Sequence, residues 1–180
     1  GKALVKEVVP FVLDKQFTLA VAEREDKPAV VMADPNIVPA VWYFARIPGI
    51  ISFYWENIDG ARDATEFFAD SGSERAATVA RRRGLSHVIV PSGPLFANYF
   101  DFIRHGHYNT QRASETFGAK LTEGSTLSLP DWIEVDEPLD RIGKTPFVYR
   151  GERIEQYLNV YRIIMPADEP GEREPNPDGL

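Results

Sequence analysis

The segment Tyr54-Trp55-Glu56-Asn57-Ile58-Asp59 gathers two carboxylates, an amide and two aromatic rings. Paired carboxylates can hold or move a proton, and aromatic faces stack on sugar rings. Asp34 stands in a comparable place, directly after the apolar run at 29–33. Asp34, Tyr54, Trp55, Glu56, Asn57 and Asp59 are therefore the candidate ligand-binding residues. The plainer reading of 54–59 is a capped helix start with core aromatics. No residue is assigned a catalytic role, because the sequence contains no glycine-rich phosphate loop, no GxSxG elbow and no HExxH pair.

Other residues with chemical potential have structural readings beside the functional ones. His105 and His107 are spaced to share a metal ion, with Asp101 the local choice for a third ligand. They also fall at an expected helix C-terminus, where histidine offsets the dipole, so no metal site and no cofactor are expected. His87 lies inside an apolar run and reads as a core histidine before a catalytic one. Arg81-Arg82-Arg83 could hold an anion or lipid headgroups. As the last turn of a helix in an acidic chain, it reads first as a solvated face offsetting the dipole.

The elements that must position these residues follow from apolar patterning. The runs 29–33 and 85–90 are continuously apolar, which suits strands covered on both faces. Residues 50–55 are rich in β-branched and aromatic types and read as another strand. Helices are expected over 37–45, 61–68, 74–83, 95–104 and about 110–121. Asp34 or Asn36, Asp59, the Ser71-to-Glu74 capping box and Asn109 or Thr110 supply their start signals, and Gly84 and Gly106 their stops. Residues 127–135 look irregular around Pro130, and 157–164 read as a last strand. Strands alternating with helices imply an α/β fold, a three-layer, mostly parallel (Rossmann-like) sheet flanked by helices, with an irregular C-terminal part. In such sheets ligands sit beyond the carboxyl ends of the strands, which here are 34–36, 54–59 and 91–93.

Residues 1–15 fit an amphipathic helix broken near Pro10, docked or juxtamembrane. Residues 16–165 form one α/β domain. The tail 166–180, acidic and proline-rich, is expected to be disordered. The chain has 180 residues, enough for a core without staples. Its net charge of −7 argues against a nucleic-acid binder. The absence of cysteine excludes disulfides, cysteine zinc sites and thiol nucleophiles. Residues 29–55 are apolar enough to suggest a membrane span, but Pro35, Pro39 and Pro48 cut them into short pieces, so they read as core.

The order of these pieces carries a resemblance. The run AVVMADP, NIVPAVWYFAR, GIISFYWEN, IDGARDATEFFAD, SERAATVARRRG, LSHVIVP, and later KLTEGSTLSLPDWIEVDEP and YLNVYRII, resembles the C-terminal soluble extracytoplasmic domain of polytopic bacterial membrane proteins. These are the GT-C glycosyltransferases and the oligosaccharyltransferase catalytic subunits. The resemblance covers roughly residues 29–164. Where oligosaccharyltransferases carry Trp-Trp-Asp after the first strand, this chain has Met32-Ala33-Asp34 and keeps the Asp. Where bacterial relatives carry Tyr-His-Arg-Asn, it has Tyr54-Trp55-Glu56-Asn57 and keeps the Tyr and Asn.

The resemblance implies a parent enzyme that moves a lipid-linked sugar, with catalytic carboxylates and metal on its transmembrane part, so that this domain alone is inactive. It implies a place on the periplasmic side of a bacterial cytoplasmic membrane. The expected partners are the parent's own transmembrane domain and a polyprenyl-phosphate sugar or saccharide acceptor, with no nucleic acid. The alternative is a saccharide- or protein-binding interaction module of a membrane protein.

Overall fold

The computed structural model describes residues 29–51, 57–93, 95–124, 129–136, 145–149 and 152–165. The expected N-terminal helix at 1–15, the acidic tail at 166–180 and the candidates Tyr54, Trp55 and Glu56 lie outside the described residues.

In chain order the elements are β1 (Val31–Ala33), α1 (Val38–Ala45), α2 (Ile58–Phe68), α3 (Glu74–Arg83), β2 (His87–Pro91) and α4 (Leu95–His105). They continue with α5 (Thr110–Ser114), α6 (Phe117–Glu123), β3 (Ile133–Val135), β4 (Thr145–Tyr149), β5 (Glu152–Gln156) and β6 (Leu158–Ile163). Four strands form one sheet in the order β1-β2-β6-β3, and β4 and β5 form a separate antiparallel pair. Among the described residues no helix is long and apolar enough to cross a membrane.

The sheet is mixed, which corrects the mostly parallel, Rossmann-like expectation. β1 and β2 are parallel with Val31 opposite His87, whereas β6 is antiparallel to both β2 and β3. Continuous apolarity in Val88–Val90 reports burial on both faces. It does not report the direction of the neighbour, and the C-terminal strand returns against β2. Most of the expected strand at 50–55 lies outside the described residues; just before it, Gly49 makes a parallel bridge to Val31. The C-terminal part is β-rich rather than irregular. Its strands are too short, three to six residues, to give a strong alternation signal.

Helix α2 shows why the sequence folds as it does. Its buried residues Gly60, Asp63, Ala64, Phe67 and Phe68 recur at the spacing of one helix face. That face packs against α3, α4 and α6. Phe67, Phe68, Phe96, Phe100 and Phe117 meet there edge-on or tilted, with centroids 4.7–5.7 Å apart. The same core continues through Met32, Val88, Ile89, Val160 and Tyr161 of the sheet. Asn159 and Tyr161 of β6 also tie sheet to helix. Asn159 Nδ2 donates to the Leu121 and Thr122 carbonyls at 3.0 and 2.9 Å, and the Tyr161 hydroxyl donates to the Leu121 carbonyl at 2.6 Å. Those carbonyls belong to the end of α6, where helical partners run out.

Several starts and stops differ in detail from their sequence signals. Asn57, not Asp59, caps α2, by accepting from the Gly60 amide. No side chain caps α3, so the Ser71-to-Glu74 box does not form. Gly84 does end α3 in the left-handed conformation, at φ 60°. The single helix expected over 110–121 is two, α5 and α6, because Thr116 leaves the helical conformation and caps α6 through the Ala119 amide.

Candidate functional site

The carboxyl ends of β1 and β2 lie side by side because the two strands are parallel. Asp34 follows β1. Its Oδ1 accepts from both the backbone and the side-chain nitrogen of Asn36, each at 2.7 Å, while its carbonyl accepts from the Ile37 and Val38 amides. Asp34 thus shapes the turn into α1, but as a local turn rather than a side-chain helix cap. Its second carboxylate oxygen has no hydrogen bond among the described residues.

Tyr99 of α4 feels the charge of this carboxylate. Burial, and then the Asp34 charge, raise the Tyr99 hydroxyl above its ordinary pKa. The phenol therefore keeps its proton and can donate a hydrogen bond. Its ring is anchored edge-on against Phe100, with centroids 5.1 Å apart. After β2, Ser92 exchanges hydrogen bonds with Tyr157, which leads into β6. Its amide donates to the Tyr157 carbonyl at 2.8 Å, and its Oγ accepts from the Tyr157 amide at 3.1 Å. These bonds tie the turn after β2 to the start of β6.

Asn57 has a different job. Its Oδ1 accepts from the Gly60 amide at 3.1 Å, and its Nδ2 donates to the Ile50 carbonyl at 2.9 Å. Ile50 in turn bonds Val31 of β1 through its amide. Asn57 thus links Ile50 beside β1 to the first turn of α2. Asp59 is exposed and pairs with Arg62 at 3.2 Å on the helix surface. Among the described residues Asp34 and Asp59 keep separate partners, Asn36 and Arg62.

Gly60 makes this link possible. A Cβ there would lie 2.0 Å from the Ile50 carbonyl oxygen and 2.4 Å from Asn57 Oδ1. Gly60→Ala is therefore expected to force the Ile50 carbonyl and Asn57 away from α2 and to destabilise the fold by roughly 1–3 kcal/mol. A urea-unfolding midpoint equal to wild type would disprove this reading.

The histidine cluster brings His105 Nε2 to 3.8 Å from Asp101 Oδ1, but Asp101 has a closer partner. Asp101, the imagined third ligand, is buried and clasped by Arg112, at 2.5 Å from Nε and 2.9 Å from Nη2. His107 Nδ1 instead contacts the His105 carbonyl at 2.9 Å. Among the described residues no three His, Asp or Glu side chains are grouped to hold a metal.

His87 is a buried core histidine. Nδ1 meets Ser86 Oγ at 3.0 Å, and Nε2 lies 3.5 Å from the buried Asp136. The contact looks like an activated serine, but the Ser86 hydroxyl is committed elsewhere. It accepts from the Val30 amide and donates to the Val30 carbonyl, both at 3.1 Å. The group fastens β1 to β2.

The arginine run is more than a solvated face. Arg82 and Arg83 both bind the buried Asp63 of α2, Arg82 at 2.6 Å. The sequence could not show this, since the partners are on different helices. Tyr99 was also missed. Its one signal was its place a turn into the helix that follows the second strand.

The arrangement at the strand ends can bind hydroxyl or amide groups through one acceptor and one donor.

No protein-family model matches the chain. No curated protein matches it. Among solved structures, the fold is similar to the C-terminal globular domain of oligosaccharyltransferase from Archaeoglobus fulgidus. One crystal structure superposes with a TM-score of 0.58 at 13% identity, covering 83% of this chain and 95% of that one. Another gives 0.50 at 13% identity, covering 88% and 94%. At that identity the likeness is one of fold.

Proposed function

We propose that the chain is the accessory soluble domain of a membrane-embedded transferase of lipid-linked sugars, and that it orients the acceptor or helps to close the active site. The observation that carries this reading is the fold likeness to the oligosaccharyltransferase C-terminal domain over most of both chains. The Asp34–Tyr99 pair at the strand ends supports it. Asp34 supplies the acceptor and Tyr99 the donor for a hydroxyl or amide of the bound group. Tyr54, Glu56, Asn57 and Asp59 supply the rest of the edge in this reading. The bond-breaking groups belong to the transmembrane part, so the isolated domain transfers nothing. The domain works on the periplasmic side of a bacterial cytoplasmic membrane, against its own transmembrane domain.

The test is sugar transfer by the intact protein in membranes, with a lipid-linked donor. Asp34→Asn should lower the transfer rate about 10- to 100-fold, the worth of a hydrogen bond to a charged group. Its expression and melting curve should remain those of wild type. Unchanged transfer would remove Asp34 from the working edge.

A further inference from the structure

We propose that the outward face of α1 is a membrane-interface anchor, in which Pro39, Trp42 and Tyr43 enter the lipid headgroup layer and Arg46 binds a lipid phosphate. The helix VPAVWYFA contains no charged residue. Its inward side chains Val38 and Val41 are buried in the core, yet Trp42 is 51% and Tyr43 66% exposed. Residues 39, 42, 43 and 46 follow the spacing of a single helix face. A short surface helix that is apolar on both sides has a second apolar partner.

The chemistry of the stripe favours lipid. Tryptophan and tyrosine are the residues that settle at headgroup level, where one end of the ring is apolar and the other wet. Arg46 ends the stripe. Its guanidinium lies 5.8 Å from the Trp42 ring centroid, and among the described residues no carboxylate pairs with it. Of the acidic residues nearest in sequence, Glu56 lies outside the described residues and Asp34 precedes the helix at its other end. An unpaired guanidinium beside exposed aromatics is complementary to a phosphate, which it can bind bidentately. A stable protein interface buries about 800 Å² on each partner, more than three side chains can offer. Arg46 also adopts the left-handed conformation, at φ 58° and ψ 24°, where glycine would be at ease. This permits a clean test.

The assignment goes beyond the transferase reading and does not depend on it, since lipid binding is measured without sugar transfer. The 180-residue chain is floated with vesicles of mixed phosphatidylcholine and phosphatidylglycerol. Wild type should float. The Trp42→Ser, Tyr43→Ser double variant should lose at least about tenfold in vesicle partitioning, from the apolar surface it no longer buries. Arg46→Gly should lose about fivefold, the worth of one basic residue at an anionic surface, while melting no lower than wild type. A wild-type chain that stays at the bottom of the gradient overturns the proposal. So does either variant floating as well as wild type.

Discussion

Phe68→Ala is expected to destabilise the fold by about 3–5 kcal/mol. Phe68 is fully buried. Its ring touches those of Phe67, Phe96 and Phe100 at centroid distances of 4.9, 4.7 and 4.8 Å. The cavity cannot close easily, because the backbone around it is already in contact. A Cβ on Gly118 of α6 would lie 2.8 Å from the Phe68 carbonyl oxygen, so α6 and α2 have little further to approach. Part of the aromatic edge-to-face attraction is lost with the ring as well. Equilibrium urea unfolding gives the number, and Phe68→Leu should recover more than half of it. A loss below about 1.5 kcal/mol, the cost of a swap the core can accommodate, would mean that the aromatic cluster is not the centre of the fold.

Asp101→Asn is the second large effect, and it carries a pH signature. Hydrogen bonds from Arg112 hold the Asp101 carboxyl below its ordinary pKa. Burial opposes this, and the Arg112 charge adds to the lowering. The side chain of Asp101 is 1% exposed and that of Arg112 32% exposed, so solvent screens one end of the pair. The expected loss is accordingly about 2–3 kcal/mol, below the usual range for breaking a wholly buried pair. Because the folded pKa is depressed, the carboxylate contributes its full stability above its unfolded pKa near 4. That contribution falls away as pH drops through the folded value. The stability gap between wild type and Asp101→Asn should therefore be constant from about pH 5 upward and shrink below about pH 4. A gap that persists unchanged in acid would show that the asparagine acts through packing rather than through the lost charge.

Much of this architecture was legible from the residues. The helix faces of α2 and α4, the left-handed Gly84, the strand at 87–91 and the closing strand at 158–163 follow from spacing and turn chemistry, which act within a few residues. The order of these pieces carried the resemblance that the fold likeness supports. The sequence also placed Asp34 at a strand's carboxyl end, because a strand followed by Asp-Pro-Asn must turn there.

The partners across space were not legible. That β6 runs antiparallel beside β2 depends on how the C-terminal part returns over the sheet, and apolar patterning does not encode direction. That Asp63 anchors two arginines, and that Arg112 clasps both oxygens of Asp101, depends on helices that meet only after folding. Tyr99 lacks any motif of its own. It feels the Asp34 charge because β1 and β2 are parallel and adjacent, so the turn after one and the helix after the other lie at the same end of the sheet. Local chemistry set the pieces, and long-range packing chose which charges and rings would meet.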